Sequence, residues 1–515
     1  MNIMFASKAN YNAWIYDRSN WEQTRKDLNI AEAIDHFEKN YKYFPAEYLY
    51  KPCLKQEDAE YRLEIMGEFR SRKKLCSDIS EFCDGAGKLR ALFRLFNEEK
   101  HEIQKQYRFL LSFWEYIENI IRLKSILSDV WSAGLRNLKN CCMEIAGSPA
   151  TAAAYEIASG LMEGIGGMLK KTGIAINPRE KTLALIECEK ESETELLQRE
   201  IFEAYGLGIK SGFSITSPLA LSFLEEKVLG VLIEDNPETF EDLKNFHENH
   251  HRFAGDMREF IGFLPQFAFY TAYQDFAGYC EGKGIPLCRP AFDGGGFYAP
   301  GCAGIGLLLK FYGENMPLEK IVFNDIKLPK GKAFVLSGPN QGGKTIYLKA
   351  LGATAYFAKC GCHVFCRECK IPFYDNICTH FAQKEALGKS RLAEELERIE
   401  KSAALFSHDT LVLLNESFTS TRRKDSVKIA VRYLKRFEDI GCSVGFVSHF
   451  YEIPEVYRGG KNEIISLQSG IAEGGKRTYK ICEKSGGGLA YARDIALRCG
   501  MTYGQIIDEI RGVKK

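Results

Sequence analysis

A lysine and a threonine closing a glycine-rich octapeptide are the residues whose spacing speaks first. Gly338-Pro339-Asn340-Gln341-Gly342-Gly343-Lys344-Thr345 fits G-x-x-x-x-G-K-[ST] at every fixed position. The apolar run Ala333-Phe334-Val335-Leu336 before it reads as a buried strand, and Ile346 to Leu351 after it reads as a helix. In that setting the glycines turn backbone N–H groups toward phosphates, and the helix N-terminus adds partial positive charge. Lys344 then reaches the β- and γ-phosphates of ATP, and the Thr345 hydroxyl ligates Mg²⁺.

Two later strands end in residues that complete such a site. Thr410 to Leu414 is apolar and runs into Asn415-Glu416. The first of these positions normally carries an acid that holds the Mg²⁺ water shell, and the second a glutamate that acts as general base on the attacking water. Here the metal-side residue is the neutral Asn415, which keeps an oxygen ligand but removes a negative charge. Cys442 to Ser448 ends in His449, placed to report nucleotide state. Gly388-Lys389-Ser390 precedes a helix. Free N–H groups there make an anion site, and in a composite ATPase Ser390 meets the γ-phosphate of the opposite subunit. Phe323, ahead of the loop, is a candidate face for adenine and equally a core residue.

The order of these motifs resembles the MutS-type ATPases of the ABC superfamily. The loop matches G-P-N-x-G-G-K-[ST], Leu411 to Glu416 resembles L-V-L-x-D-E, and Phe446-Val447-Ser448-His449-Phe450 resembles F-x-T-H-[FY]. Gly388-Lys389-Ser390 matches the signature G-[RK]-S, and Gly487 to Ala496 resembles the family's tail. The likeness covers residues 285–515 firmly and the helical half more loosely. It implies an α/β phosphate-loop ATPase domain of ABC type over 285–515, with a helical dimerisation tail. A mostly helical lever-like domain over 1–284 precedes it, with a short clamp-like insertion at about 145–235. It further implies a homodimer with Ser390 acting in trans, and DNA as partner, held mostly through phosphates. The N-terminal mismatch-recognition domains and the C-terminal Smr domain are expected to be absent. The alternative is a weakly hydrolysing, nucleotide-gated switch that binds a protein partner, suggested by Asn415.

Composition sets the frame. The 515 residues suggest roughly two to four domains. A net charge of +1 leaves nucleic-acid contacts to local patches. No apolar run approaches the ~18 residues of a membrane span, and the start lacks a signal-peptide core. The 17 cysteines fit reduced thiols, and together these features predict a cytoplasmic protein.

The first half must position the motifs. Ile103, Tyr107, Leu110, Trp114, Ile117 and Ile121, extended by Ile120 to Val130, predict an amphipathic helix of roughly 30 residues, about 45 Å long. Leu243, Phe246, His250, Phe253, Met257, Phe260 and Leu264 predict a second long helix, the two forming an antiparallel arm. Between them Ile174 to Pro178 and Thr182 to Ile186 pair as a hairpin. Arg289 to Asp293 and Gly296 to Pro300 read as loops. The basic residues Arg70 to Lys74, Lys88, Arg90 and Arg94 read as a solvated helix face, and His247, His250 and His251 as packed or solvated. Cys360, Cys362, Cys366 and Cys369 read as buried thiols rather than a metal site.

Overall fold

The computed structural model describes residues 1–177, 182–187, 223–314, 316–381, 391–457, 463–472, 477–483 and 507. Packing divides the chain into two units. One comprises Met1–Met4, Tyr43–Pro45 and Gly67–Thr271; the other comprises Phe5–Lys42, Ala46–Met66 and Ala272–Lys515. A single cut at 284/285 therefore does not separate them.

The first unit is helical. Its central helix, Glu102–Ile126, buries Phe109, Phe113, Tyr116 and Ile120. Phe113 meets Phe246 and Phe253 at ring distances of 5.5 and 5.0 Å, and Tyr116 meets Phe260 at 5.5 Å. The helix has 25 residues and stops short of Val130. The fully buried Glu68 explains the turn that follows. Its carboxylate accepts the Trp131 and Ser132 amides, both at 2.8 Å, and so anchors the start of the next helix, Ala133–Gly147.

The second stripe keeps its apolar face but is not one helix. It divides into Pro237–His250 and Phe253–Phe263. At the junction the Ala254 and Gly255 amides bond only three residues back, to His251 and Arg252. The histidines there are packed: His247 lies 5.1 Å from the Phe109 ring and His250 4.7 Å from Phe246. The basic residues are also engaged. Arg72 pairs with Asp129, Lys88 with Glu115, and the Arg90 guanidinium lies 3.7 Å over Tyr43. The expected hairpin is present as β1 (Thr172–Asn177) and β2 (Thr182–Glu187), antiparallel, with Asn177 opposite Thr182.

The second unit is α/β, with two sheets. The smaller contains β3 (Ala291–Phe292), β4 (Gly296–Cys302), β5 (Asn324–Pro329) and, between β3 and β4, β7 (Lys370–Ile371). The stretches read as loops are thus β3 and β4. Glycine and proline misled that reading, because Gly296 serves the pairing itself. Its φ is 133°, and a Cβ there would stand 2.6 Å from Pro329 Cα on β5. Only a residue without a side chain lets the strands start this close.

The larger sheet holds β6 (Ala333–Ser337), β8 (Asn376–Phe381), β9 (Thr410–Asn415), β10 (Ser443–Val447), β11 (Ile465–Ile471) and β12 (Arg477–Glu483). Its order is β12-β11-β6-β10-β9-β8, parallel except for the edge strand β12. β10 is buried throughout and β9 nearly so, as parallel strands covered on both faces should be.

Residues 5–42 and 46–66 belong here because they cover the helix Lys344–Lys359, which is buried almost along its whole length. Its Gly352 is wedged between Leu28 and Leu413, each 2.5 Å from where a Cβ would stand. Thr24 Oγ1 donates to the Ile377 carbonyl at 3.0 Å, and the Tyr356 hydroxyl to that of Leu49 at 2.7 Å. Cys360, Cys362, Cys366 and Cys369 are buried free thiols. Among the described residues no group of three metal-ligating side chains converges, and no helix is long and apolar enough to cross a membrane.

Candidate active site

Register brings the separate motifs to one edge. Leu336 on β6 pairs with Val447 on β10, and Val447 with Asn415 on β9. The carboxyl ends of three neighbouring parallel strands therefore lie side by side. Crevices at such ends are where open α/β sheets hold ligands.

The loop after β6 needs its unusual backbone. Gly338 has φ 135°, Gln341 58° and Gly343 87°. A Cβ at Gly338 or Gly342 would stand 2.4 or 2.5 Å from Ser469 Oγ on β11. The octapeptide is thus pressed against the neighbouring strand, and Gly338 and Gly342 make that approach possible. Lys344 is only 4% exposed. Its Nζ donates to the carbonyls of Gly338 at 2.9 Å and Pro339 at 2.8 Å. Burial lowers its pKa from the usual lysine value; Glu416 opposes this and Arg477 adds to it. A cation held among neutral carbonyls is poised to gain from an arriving anion.

Thr345 Oγ1 donates to Asn415 Oδ1 at 3.1 Å. Glu416 follows with φ 55°, a conformation costing a non-glycine residue on the order of 1–3 kcal/mol. Its amide donates to the Val447 carbonyl at 2.9 Å, which fixes the turn. Its carboxylate Oε1 lies 2.9 Å from His449 Nε2, and both side chains are about one-third exposed. Lys344, Thr345, Asn415, Glu416 and His449 therefore converge. Phe323 is half-buried just before β5, and its carbonyl accepts from Lys480 Nζ. Gly388, Lys389 and Ser390 lie outside the described residues.

The segment after Glu416 is anchored by residues the sequence did not single out. Phe418, also at positive φ (67°), is fully buried and stacks on Tyr433 at 5.4 Å. Its amide donates at 2.9 Å to the buried Glu395 carboxylate, on the helix Arg391–Lys401. Ser417 Oγ donates to the His380 carbonyl at 3.1 Å. The helix that follows the signature tripeptide is thereby tied to the turn carrying Glu416.

His380 itself is a pH-sensitive element. It is 6% exposed and its Nε2 has no hydrogen-bond partner. Burial, then the charge of Arg398, lowers its pKa to about 3. The unfolded chain takes up this proton near pH 6.5, the folded chain only near 3. Its contribution to stability is therefore complete above 6.5 and is lost as pH falls toward 3. Urea unfolding should lose up to about 1.4 kcal/mol per pH unit from this residue in that window. His380→Leu should flatten the acid limb; an unchanged slope would show that His380 does not titrate this way.

The residues of this edge also match a known protein family. The family model for MutS domain V matches residues 334–479, the span from β6 to Tyr479 in β12. Over this span the chain is similar to the MutS family. A DNA mismatch repair protein MutS from Thermosipho melanesiensis is 28% identical over 188 residues, 35% of this chain and 22% of the relative. One from Thermotoga maritima is 30% identical over 141 residues, 27% of the chain and 18% of the relative. The DNA mismatch repair protein MSH2 of Saccharomyces cerevisiae is 29% identical over 140 residues, 26% and 14%. The chain thus covers no more than about a fifth of the length of these relatives. Within the matched span, Asn415 departs from L-V-L-x-D-E, yet it is built into the site by its bond from Thr345.

Proposed function

We propose that this chain is a MutS-related ATPase of the phosphate-loop, ABC-type class, whose ATP cycle is coupled to DNA. The observation that carries the proposal is the convergence of Lys344, Thr345, Asn415, Glu416 and His449 at the carboxyl ends of β6, β9 and β10. The Thr345 hydroxyl and Asn415 amide oxygen, 3.1 Å apart, form a hard-oxygen pair suited to Mg²⁺ and its waters. Thr345 and Asn415 would hold Mg²⁺, whose charge would offset that of the nucleotide phosphates.

The protein's own groups do the rest. Backbone amides of the glycine-rich loop receive the phosphates, and Lys344 shifts its ammonium from the Gly338 and Pro339 carbonyls to phosphate oxygen. Glu416 accepts a proton from the water that attacks the γ-phosphorus as the bond to the β-phosphate oxygen breaks. In the free site Glu416 is paired with His449. Releasing that pair frees the base and moves the segment after β10, which is how nucleotide state leaves the site. Phe323 supplies an aromatic face to adenine. Ser390 completes the site of a second copy in a homodimer, and the helical unit serves as the lever to DNA.

Relatives matched by this chain are named for DNA mismatch repair, which makes DNA the proposed partner. With a net charge of +1, binding rests on local phosphate contacts and weakens steeply with salt. Fluorescence anisotropy with labelled homoduplex, mismatched and branched DNA, with and without ATP, is the test. Affinity at low salt that changes with ATP is expected. No binding to any DNA in either state would remove DNA from the account and leave the switch for a protein partner, the reading that neutral Asn415 favours.

A further inference from the structure

The hairpin β11–β12 grips the glycine-rich loop from the side away from Glu416. In the sheet, β11 and β12 lie on one side of β6, while β10 and β9, which carry His449 and Glu416, lie on the other. Three hairpin residues meet the loop. Ser469, fully buried and with no hydrogen-bond partner for its hydroxyl, sits under Gly338 and Gly342. Tyr479, at φ 58°, covers Gly343, with ring and backbone atoms 3.6–3.7 Å from where a Cβ would stand. Arg477, opposite Ile471, donates from Nη1 to Gln341 Oε1 at 2.7 Å. The Asn324 side chain clips the hairpin in place, donating to the Tyr479 carbonyl at 3.0 Å and accepting the Ile481 amide at 2.8 Å. The approach of Arg477 to the loop is thus fixed from several directions.

Arg477 is a full cation on a neutral amide. Among the described residues no carboxylate lies within ion-pair distance of it, and its side-chain partner is the Gln341 amide oxygen. Its charge is felt by the Lys344 ammonium, so the two cations are held toward one loop without a carboxylate on the hairpin side. Like charges brought together this way repel until an anion arrives. A guanidinium fork bound to one amide oxygen would gain a charge-assisted, two-pronged contact by turning to phosphate.

We propose that Arg477 is a second phosphate-binding cation of this site, recognising a nucleoside di- or triphosphate from the flank opposite Glu416. On binding, its guanidinium passes from the Gln341 side chain to a phosphate oxygen. Because that flank is away from the general base, the arginine contributes to holding nucleotide more than to the bond-breaking step. The proposal rests on the nucleotide reading of the loop.

Equilibrium titrations of the full chain with MgATP, MgADP and adenosine test it, using Arg477→Ala, Arg477→Gln and Arg477→Lys, each shown by melting to be folded. Arg477→Ala and Arg477→Gln should bind ATP and ADP roughly 10- to 100-fold more weakly, with adenosine unaffected. Arg477→Lys should recover most of the affinity because it keeps the charge. Recovery by Arg477→Gln instead, which keeps a donor for Gln341 without charge, would make Arg477 a structural pin and overturn the proposal. Unchanged binding in Arg477→Ala, beside a wild type that binds ATP, overturns the arginine alone. A wild type that binds no nucleotide overturns the loop's assignment and the arginine with it.

Discussion

Glu416→Gln should lower ATP turnover by about 10²- to 10⁴-fold while leaving ATP binding nearly intact. The reasoning is local. Glu416 is set at φ 55° by the bond from its amide to the Val447 carbonyl, and its carboxylate lies 2.9 Å from His449 Nε2. Glutamine has the same shape and keeps an oxygen for His449, but it cannot take a proton from water. The backbone turn, the loop and Lys344 are untouched, so affinity survives. Single-turnover phosphate release beside a nucleotide titration separates the two quantities. Turnover within about threefold of wild type would remove Glu416 from the role of base.

Lys344→Ala should lose binding as well as turnover. Lys344 is buried, and its ammonium holds two loop carbonyls 2.9 and 2.8 Å away. Alanine removes the charge proposed to meet the β- and γ-phosphates and leaves those carbonyls without their donor. A charge-assisted contact of this kind is worth about 1.5–3 kcal/mol, or roughly 10- to 150-fold in affinity. In the wild type, ATP at a hundred times its dissociation constant should add about 2.7 kcal/mol of stability and raise the melting temperature. At that concentration the variant should keep only about 0.3–1.4 kcal/mol of the stabilisation, and a correspondingly smaller shift in melting temperature. An ATP-dependent shift equal to that of the wild type would contradict the assignment.

The sequence made the loop, Asn415, Glu416 and His449 visible because each is a polar residue ending an apolar strand, a pattern that survives without knowledge of pairing. Arg477, Ser469 and Asn324 were not visible. Each is an ordinary residue in a strand or at its edge, and it reaches the loop only through the β6–β11–β12 order and register. Glu395 was hidden for the same reason: its partner, the Phe418 amide, is a backbone group with no sequence signature. β4 was read as a loop because Gly296 and Pro300 look like turn residues, whereas Gly296 is what admits β5. The second apolar stripe was legible as a face, but periodicity cannot reveal a break in the hydrogen-bond ladder at His251–Arg252. Nor does it reveal that residues 5–42 and 46–66 pack with the α/β unit, since an apolar face does not name what it covers.

The measurement that tests the central claim most directly is steady-state phosphate release from ATP by the purified chain, alone and with homoduplex, mismatched and branched DNA at low salt. Hydrolysis that depends on Glu416 and Lys344, and that changes with at least one DNA, is the result predicted here. ATP binding with no hydrolysis under any of these conditions would contradict the ATPase reading and make the neutral Asn415 the mark of a switch.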